Sequence, residues 1–555
     1  MRPTPVNLEQ HDTFKRAVDL MQNTRANLFI TGKAGTGKST LLDHFILNTE
    51  KNAVVLAPTG VAALNVRGQT IHRFFGFYVD ITPEKMKSKK DYRPRNVKVM
   101  GKLDTLIIDE ISMVRADILD CVDAALRLYG PAPGTPFGGV QMIFVGDLYQ
   151  LPPVVGRDEG VIFEQHYSSP YFFSARAMQD ATFELIELDK VYRQKDHDFV
   201  ELLNRIRNNT VTDNDLKVLN TRVLGTGPSG LARGPLAPNV TGPSAFAEGQ
   251  QSITLTLTST NAAADAVNNA ALNALPGRAF RSLAEVSGDF TKDYYPTAPD
   301  LTFKIGAQIM MLNNDTKNRW VNGTMGIITT FDTDEDGNDY VGVQLEGSSK
   351  ETKVYPFLWE VFKFRVVDNQ IASEAVGTFS QFPFRLAWAV TIHKSQGKTF
   401  DHVVVDIGRG AFATGQVYVA LSRCTSFEGL WLKTPIQKSH IRTDHRISAY
   451  LTNDAYKKAD RADPSNSRQA KIEHAIAEKR AIKITYLKPD DTRSSRIINP
   501  LSIGEEEYKG KTFIGLRAFC RERNDNRIFR IDRILQIDDI EDLTNVTHAH
   551  TVHQK

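Results

Sequence analysis

Lys38 stands in Gly32-Lys33-Ala34-Gly35-Thr36-Gly37-Lys38-Ser39-Thr40, and residue types in that order carry a chemistry. The apolar run Asn27-Leu28-Phe29-Ile30 precedes it and the helix-like Leu41-Leu42-Asp43-His44-Phe45 follows. G-x-x-x-x-G-K-S between a strand and a helix is a phosphate-binding loop. The backbone of Gly32, Ala34, Gly35, Thr36, Gly37 and Thr40 wraps the phosphates of a nucleoside triphosphate, with amides and a helix N-terminus facing the charge. Lys38 reaches the β/γ oxygens, and Ser39 offers its hydroxyl to a magnesium ion. Asp109-Glu110 supplies the acids: the aspartate can hold magnesium, directly or through water, and Glu110 can orient or deprotonate the attacking water. The alternative, two solvated loop acids, sits poorly after the apolar Leu106-Ile107-Ile108. Gln150, in Gly146-Asp147-Leu148-Tyr149-Gln150-Leu151-Pro152-Pro153-Val154, is placed to sense the γ-phosphate. Arg193 and Arg423 would neutralise charge developing on it.

Positioning these groups needs parallel sheets. Ala53-Val54-Val55-Leu56, Leu103 to Ile108 and Val140 to Val145 are short aliphatic strands, each ending in polar residues and separated by helical segments. That pattern predicts an α/β fold with a sheet covered on both faces and its sites at the carboxyl ends of the strands. Residues 8–22 read as an amphipathic helix. A second α/β unit is expected from Phe183 to Leu188, with a strand at Ser252 to Leu257 and a long Gly/Pro/Ser/Ala-rich loop at 225–250. Residues 301–380 change character: Gln308 to Leu312, Gly326 to Thr329 and Tyr340 to Leu345 are strands spaced by turn signals, with Asp336-Gly337-Asn338 as a hairpin. A small inserted β-barrel is expected there. The α/β pattern resumes at Pro383 to Gly397, His402 to Ile407 and Gln416 to Cys424, so ATP would be sandwiched between two α/β units.

At 555 residues the chain exceeds one core, and three or more domains are expected. A net charge of +3 permits a nucleic-acid partner without arguing for one. Cys121, Cys424 and Cys520 are far apart, which suits a reduced compartment and offers no zinc site or disulfide framework. No apolar run approaches a membrane span, and the N-terminus lacks a signal-peptide core. A cytoplasmic, bacterial-type, nucleoid-associated protein without a membrane partner is expected.

The motifs together resemble the Pif-one family of superfamily-one DNA helicases. The matching pieces, in family order over roughly the first 450 residues, are GKAGTGKST (32–40), APTGVAALN (57–65), TIHRFFG (70–76), LIIDEISMVRADILDCVD (106–123), GDLYQLPPV (146–154), VYRQ (191–194), LAWAVTIHKSQG (386–397) and YVALSRC (418–424). Ser112 to Asp120 carries the family's own signature; Leu148 departs from an aromatic that many members have. The resemblance implies two RecA-like motor domains (1–182, and 183–300 with 381–454), a wedge insertion at about 73–100 and a Src-homology-type barrel at 301–380. It also implies 5′-to-3′ translocation on single-stranded DNA, with tailed or forked duplexes as substrates. ATP and Mg2+ are the implied cofactors. Gln10 would read the adenine, and Thr59, Gly60, His72, Asn261, Thr391, His393 and Lys394 would meet DNA. Hydroxyls, amides and a few cations suit a motor that must hold a backbone without sequence preference and then release it. His72 also reads as a core or capping residue, Asn261 as a helix cap, and Trp388 as core rather than a stacking platform. The run Lys85, Lys87, Lys89, Lys90, Arg93, Arg95, Lys98 is either a solvated face or a strand-contacting insertion.

Beyond a polar stretch read as a linker (455–468), residues 469–545 resemble a WYL domain, an Sm-like β-barrel. The resemblance rests on Asn499-Pro500-Leu501, Ala518-Phe519-Cys520 and Arg527 to Ile534; the tripeptide that names the family is not recognisable. A helix at 472–479 precedes strands at 482–486, 494–501, 512–520 and 527–534. Tyr486, Arg517, Phe519, Arg521, Arg527 and Arg530 mix cations with aromatics as a single-strand or nucleotide site would, or as an ordinary barrel surface does. His548, His550 and His553 form no metal spacing. The resemblance thus leads to a monomeric ATP-dependent DNA helicase of replication, repair or recombination, with proteins of those processes as further partners. The rivals are the helicase subunit of a recombination or conjugation complex, which would need a partner, and a ligand-sensing regulator dominated by the WYL-like domain.

Overall fold

The computed structural model describes residues 11–78, 81–87, 92, 94–188, 190–192, 194, 196–224, 253–408, 410, 413–488, 492–508 and 511–540. Six parallel strands form the first sheet: β1 Asn27–Gly32, β2 Ala53–Ala57, β3 Gln69–Thr70, β4 Thr105–Ile108, β5 Gln141–Val145 and β6 Phe183–Leu188, in the order β3-β2-β4-β5-β1-β6. Strands β1, β4 and β5 are almost wholly buried, as continuous aliphatic runs covered on both faces must be. Helices Asp12–Asn23 and Lys38–Asn48 pack Phe14, Met21, Leu41 and Phe45 onto Leu28, Ile30, Ile107 and Ile143. Phe183–Leu188, expected to open the second unit, instead completes the first, pairing from Asn27↔Phe183 to Gly32↔Leu188. Its half-buried pattern is that of an edge strand, and periodicity cannot say which sheet a strand joins.

The second parallel sheet has the strand order Ala389–Thr391, Leu255–Thr258, Val403–Asp406, Leu430–Leu432. Between its strands lies antiparallel structure. Five strands (Glu351–Val354, Asp339–Leu345, Met325–Thr333, Gln308–Met311, Phe384–Leu386) form one sheet, and Phe357–Val367, Gln370–Gln381 and Glu285–Gly288 another. Phe280–Leu283 pairs with Asp300–Phe303, so the insertion is wider than 301–380. Trp388 packs against its core of Phe303, Ile309, Val343 and Phe384, which is the core role expected of it. Within residues 73–100, Phe74, Phe75, Phe77 and Tyr92 pack ring against ring, and Asn96 Nδ2 donates to the Phe74 carbonyl at 2.7 Å. Lys89, Lys90 and Arg93 lie outside the described residues, as do the whole 225–250 loop and His548, His550 and His553.

A separate compact unit begins at Thr443 and takes in Asn208–Thr210. Residues read as a linker are helical: His445–Ala462 is one helix, capped by Asp444 accepting from the Arg446 amide, and Ser465–Ala477 is the next. The Ala, Lys and Arg residues there are strong helix formers, whereas the polarity of the stretch suggests a loop. Buried Arg468 pairs with Asp460 at 3.0 Å and donates to the Ile534 carbonyl, tying the two helices to the sheet. That sheet is antiparallel in the order Asp525–Arg530, Lys511–Cys520, Arg493–Tyr508, Ile482–Leu487, Ile534–Asp539.

Candidate functional site

The carboxyl ends of three strands of the first sheet, β1, β4 and β5, bring the glycine-rich loop, Asp109-Glu110 and Gln150 to one end of the sheet. After β1, Gly35 and Gly37 hold φ of +82° and +88°, which a side chain disfavours. A Cβ on Gly32 would stand 2.5 Å from the Leu188 carbonyl oxygen, so β6 is what requires glycine there. Helix Lys38–Asn48 starts directly on Gly37, and its first amides face the loop. Lys38 Nζ donates to the carbonyls of Gly32 (2.7 Å) and Lys33 (3.0 Å), which folds the ammonium over the loop. Thr36 is buried and donates to the Lys33 carbonyl at 3.0 Å; Ser39 is exposed and Thr40 half-buried.

Asp109 Oδ1 accepts from the Glu110 amide at 2.9 Å. Glu110 sits at φ 50°, ψ 42°, a left-handed conformation that costs a residue with a side chain about 1–3 kcal/mol. Burial raises both carboxyls, Asp109 to about 6 and Glu110 to about 7, while Lys38 favours the ionised form of each. Among the described residues no three His, Cys, Asp or Glu side chains converge as a metal cage. The oxygens of Ser39 and Asp109 would suit magnesium, which takes one or two protein oxygens and completes its shell from phosphate and water.

Residues of the second sheet close on these groups. Gln396 Nε2 donates to Glu110 Oε2 (3.0 Å) and to Gln150 Oε1 (3.1 Å). Gln150 Nε2 in turn donates to the buried Asp147 at 3.4 Å. The Tyr418 hydroxyl donates to Asp147 at 3.3 Å and accepts the Ala34 amide at 3.1 Å, so it ties the phosphate loop to helix Gln416–Leu421. Arg207 lies 3.5 Å from Asp147 and 3.9 Å above the Tyr149 ring. Gly415, at φ +73°, starts that helix with its Cα against the carbonyls of Tyr149 and Gln150, where a Cβ would collide. Arg423 is 1% exposed; it donates to Val419 O (2.8 Å), Lys398 O (3.3 Å) and Ser422 Oγ (2.9 Å), and it favours the ionised form of Glu110. Gln194 Nε2 clips the same segment through Ser422 O and Cys424 O. Arg193 and Gln10 lie outside the described residues.

Residues 5–217 match the family model of the PIF1-like helicases, and 469–539 that of the WYL domain. The mouse ATP-dependent DNA helicase PIF1 is 33% identical over 76% of this chain and 59% of its own length, so the chain spans under two thirds of that relative. The ATP-dependent DNA helicase Pif1 of Bdellovibrio bacteriovorus is 31% identical over 75% of this chain and 86% of the relative. The chain belongs to the PIF1-like helicase family. In structure it is similar to Bacteroides Pif1 in complex with ADP-AlF4, with a TM-score of 0.68 and 32% identity over 81% of this chain and 97% of that one. The same Bacteroides protein bound to ssDNA gives a TM-score of 0.55 at 32% identity, over 80% and 97% of the two chains.

Placed in this PIF1-like helicase, the DNA candidates divide. Thr59 is exposed and caps helix Gly60–Asn65 by accepting the Ala62 amide at 3.3 Å, while Gly60 lies buried against the Asp293 carbonyl. The half-buried His72 ring stands edge-on to Phe77, and burial lowers its pKa. Thr260, rather than Asn261, caps helix Asn261–Ala274, which leaves Asn261 exposed in the first turn. Thr391 is buried and accepts the Lys394 amide at 3.3 Å; His393 and Lys394 are exposed. Near Lys394, Arg385 is pushed down to about 10 by burial, and Lys398 is held well below the ordinary lysine value by burial and by Arg385. Neither has a carboxylate partner among the described residues.

In the WYL domain, Arg517 is paired with Glu506, and Arg530 is paired with Asp532 beneath Phe513. Tyr486 stands edge-on to Phe529, and Phe519 is half-buried. Arg521 donates to Asn499 at 2.9 Å, and Arg527 is exposed. Two of the four arginines are therefore neutralised by their own carboxylates. Sequence reasoning passed over Asp147, Gln194, Gln396 and Tyr418, although each lies inside a quoted motif. Their roles depend on partners more than 200 residues away or on the opposite sheet.

Proposed function

We propose that this chain is an ATP-driven motor that translocates 5′ to 3′ on single-stranded DNA and unwinds tailed or forked duplexes. The observation that carries the reading is that Glu110 and Gln150, beside Lys38 and Asp109 on one parallel sheet, meet Gln396 of another, while Tyr418 of that second unit bonds Ala34 and Asp147, so closing the cleft assembles the site. The helicase names of the relatives, and the ADP-AlF4 and ssDNA complexes of the Bacteroides protein, point the same way. Magnesium held by Ser39 and Asp109 would neutralise charge on the β- and γ-phosphates. Glu110 takes the proton of the attacking water and Gln150 senses the γ-phosphate, while Arg423, and with it Arg193, offsets the charge that develops there. Gln10 reads the adenine. Thr59, Gly60, His72, Asn261, Thr391, His393 and Lys394 line the DNA path; for Thr391 the buried hydroxyl supports a role in shaping the turn that presents His393 and Lys394. The sheets inserted at 280–386 act as a Src-homology-type barrel and the C-terminal sheet as an Sm-like barrel.

Duplexes bearing opposite single-stranded tails test this reading. ATP-dependent strand displacement is expected with the 5′ tail and not with the 3′ tail. ATPase without displacement would instead favour the regulator, a reading kept in view by the WYL match.

Of the four candidate arginines in the WYL domain, Arg521 and Arg527 are the two without a carboxylate partner among the described residues. The full chain with both changed to Ala is expected to bind single-stranded DNA several-fold more weakly, with a salt slope shallower by about 0.7 for each phosphate that is no longer neutralised. Anisotropy titrations at several salt concentrations measure this, and an unchanged slope would remove those two residues from the DNA path.

A further inference from the structure

We propose that Gln396 is a positioning residue through which the turn that meets DNA governs the general base; this rests on the motor reading above. Gln396 closes the 3-10 turn His393–Ser395, two residues after Lys394. Its amide carries two N–H groups, and the geometry uses both, one on Glu110 Oε2 and one on Gln150 Oε1. The reverse orientation would set a carbonyl oxygen against a carboxylate, so Glu110 fixes which way the amide points. A hydrogen bond to one carboxylate oxygen holds the rotamer of Glu110 and so aims the other oxygen, the one left to take a proton. The second bond holds Gln150, whose own amide is anchored on Asp147.

The turn has little room to absorb a displacement. Thr391 Oγ1 accepts the Lys394 amide, and the buried Ser395 hydroxyl donates to the Ile392 carbonyl at 2.7 Å. A phosphate that shifts His393 and Lys394 therefore shifts Gln396 with them. Gln396 and Glu110 belong to different sheets, so the aim of the base depends on where DNA sets the second sheet. A residue that only filled the interface would not need to donate to both γ-phosphate-facing groups at once.

The test uses the full chain, measuring steady-state ATP hydrolysis with and without a single-stranded oligothymidine and oligothymidine binding by anisotropy. Gln396→Ala is expected to lower DNA-stimulated kcat about tenfold, a coupling of ordinary size. KM for ATP and the oligothymidine Kd should stay within about twofold. Gln396→Glu, which replaces the donor by an acceptor facing Glu110, is expected to be at least as slow. Unchanged stimulation in Gln396→Ala would overturn the proposal, and so would a loss of stimulation that merely tracks weaker DNA binding. A parent chain whose ATPase ignores DNA would overturn the motor reading together with this one, whereas a stimulated parent matched by Gln396→Ala overturns this one alone.

Discussion

Glu110→Gln is expected to bind ATP like the parent and to hydrolyse it at least 100-fold more slowly, the scale at which a missing general base is felt. The substitution is nearly isosteric, and an amide oxygen can still accept from Gln396, so the fold and the closed cleft should survive. What disappears is the basic oxygen. Burial and then the neighbouring Asp109 raise that carboxyl while Lys38 and Arg423 only partly oppose the rise, so its oxygen is more basic than that of an ordinary glutamate. Nucleotide titration alongside single-turnover hydrolysis measures the split. Parental turnover in Glu110→Gln would take the role of base away from this residue.

Lys38→Ala should remove both hydrolysis and unwinding. The ammonium sits over the loop on the carbonyls of Gly32 and Lys33, where it would meet the β/γ oxygens. Loss of one such preorganised donor typically costs about 10²–10³ in rate. Here the effect should be larger, because Lys38 also favours the ionised forms of Asp109 and Glu110. Without it both carboxyls rise further, so activity that remains should need a higher pH than in the parent. A pH–rate profile of Lys38→Ala beside Lys38→Arg measures this; a residual activity with an unshifted profile would contradict the electrostatic part.

How much of this was legible follows from the range of each interaction. The phosphate loop, Asp109-Glu110 and the two parallel sheets are local statements, written in contiguous residues and in the period of their burial. The membership of Phe183–Leu188 in the first sheet is not local, because an edge strand looks alike in either sheet. The contact from Gln396 to Glu110 spans 286 positions, and nothing in KSQG says which carboxylate its amide will meet. Residues 455–462 read as a connector for another reason: they are polar, and the packing that supports their helix comes from Arg468 and the sheet beyond. Asn261 went the other way, since the structure gives the cap to its neighbour Thr260.

The left-handed backbone of Glu110 bears on any effort to make this protein hardier. Glycine adopts that geometry without strain, so position 110 is one where a stabilising search scored on melting temperature alone has a motive to discard the glutamate. Selection for robustness and selection for turnover pull in opposite directions at a single residue. A thermostabilised variant of this chain should therefore be sequenced at position 110 before its loss of activity is blamed on anything more distant.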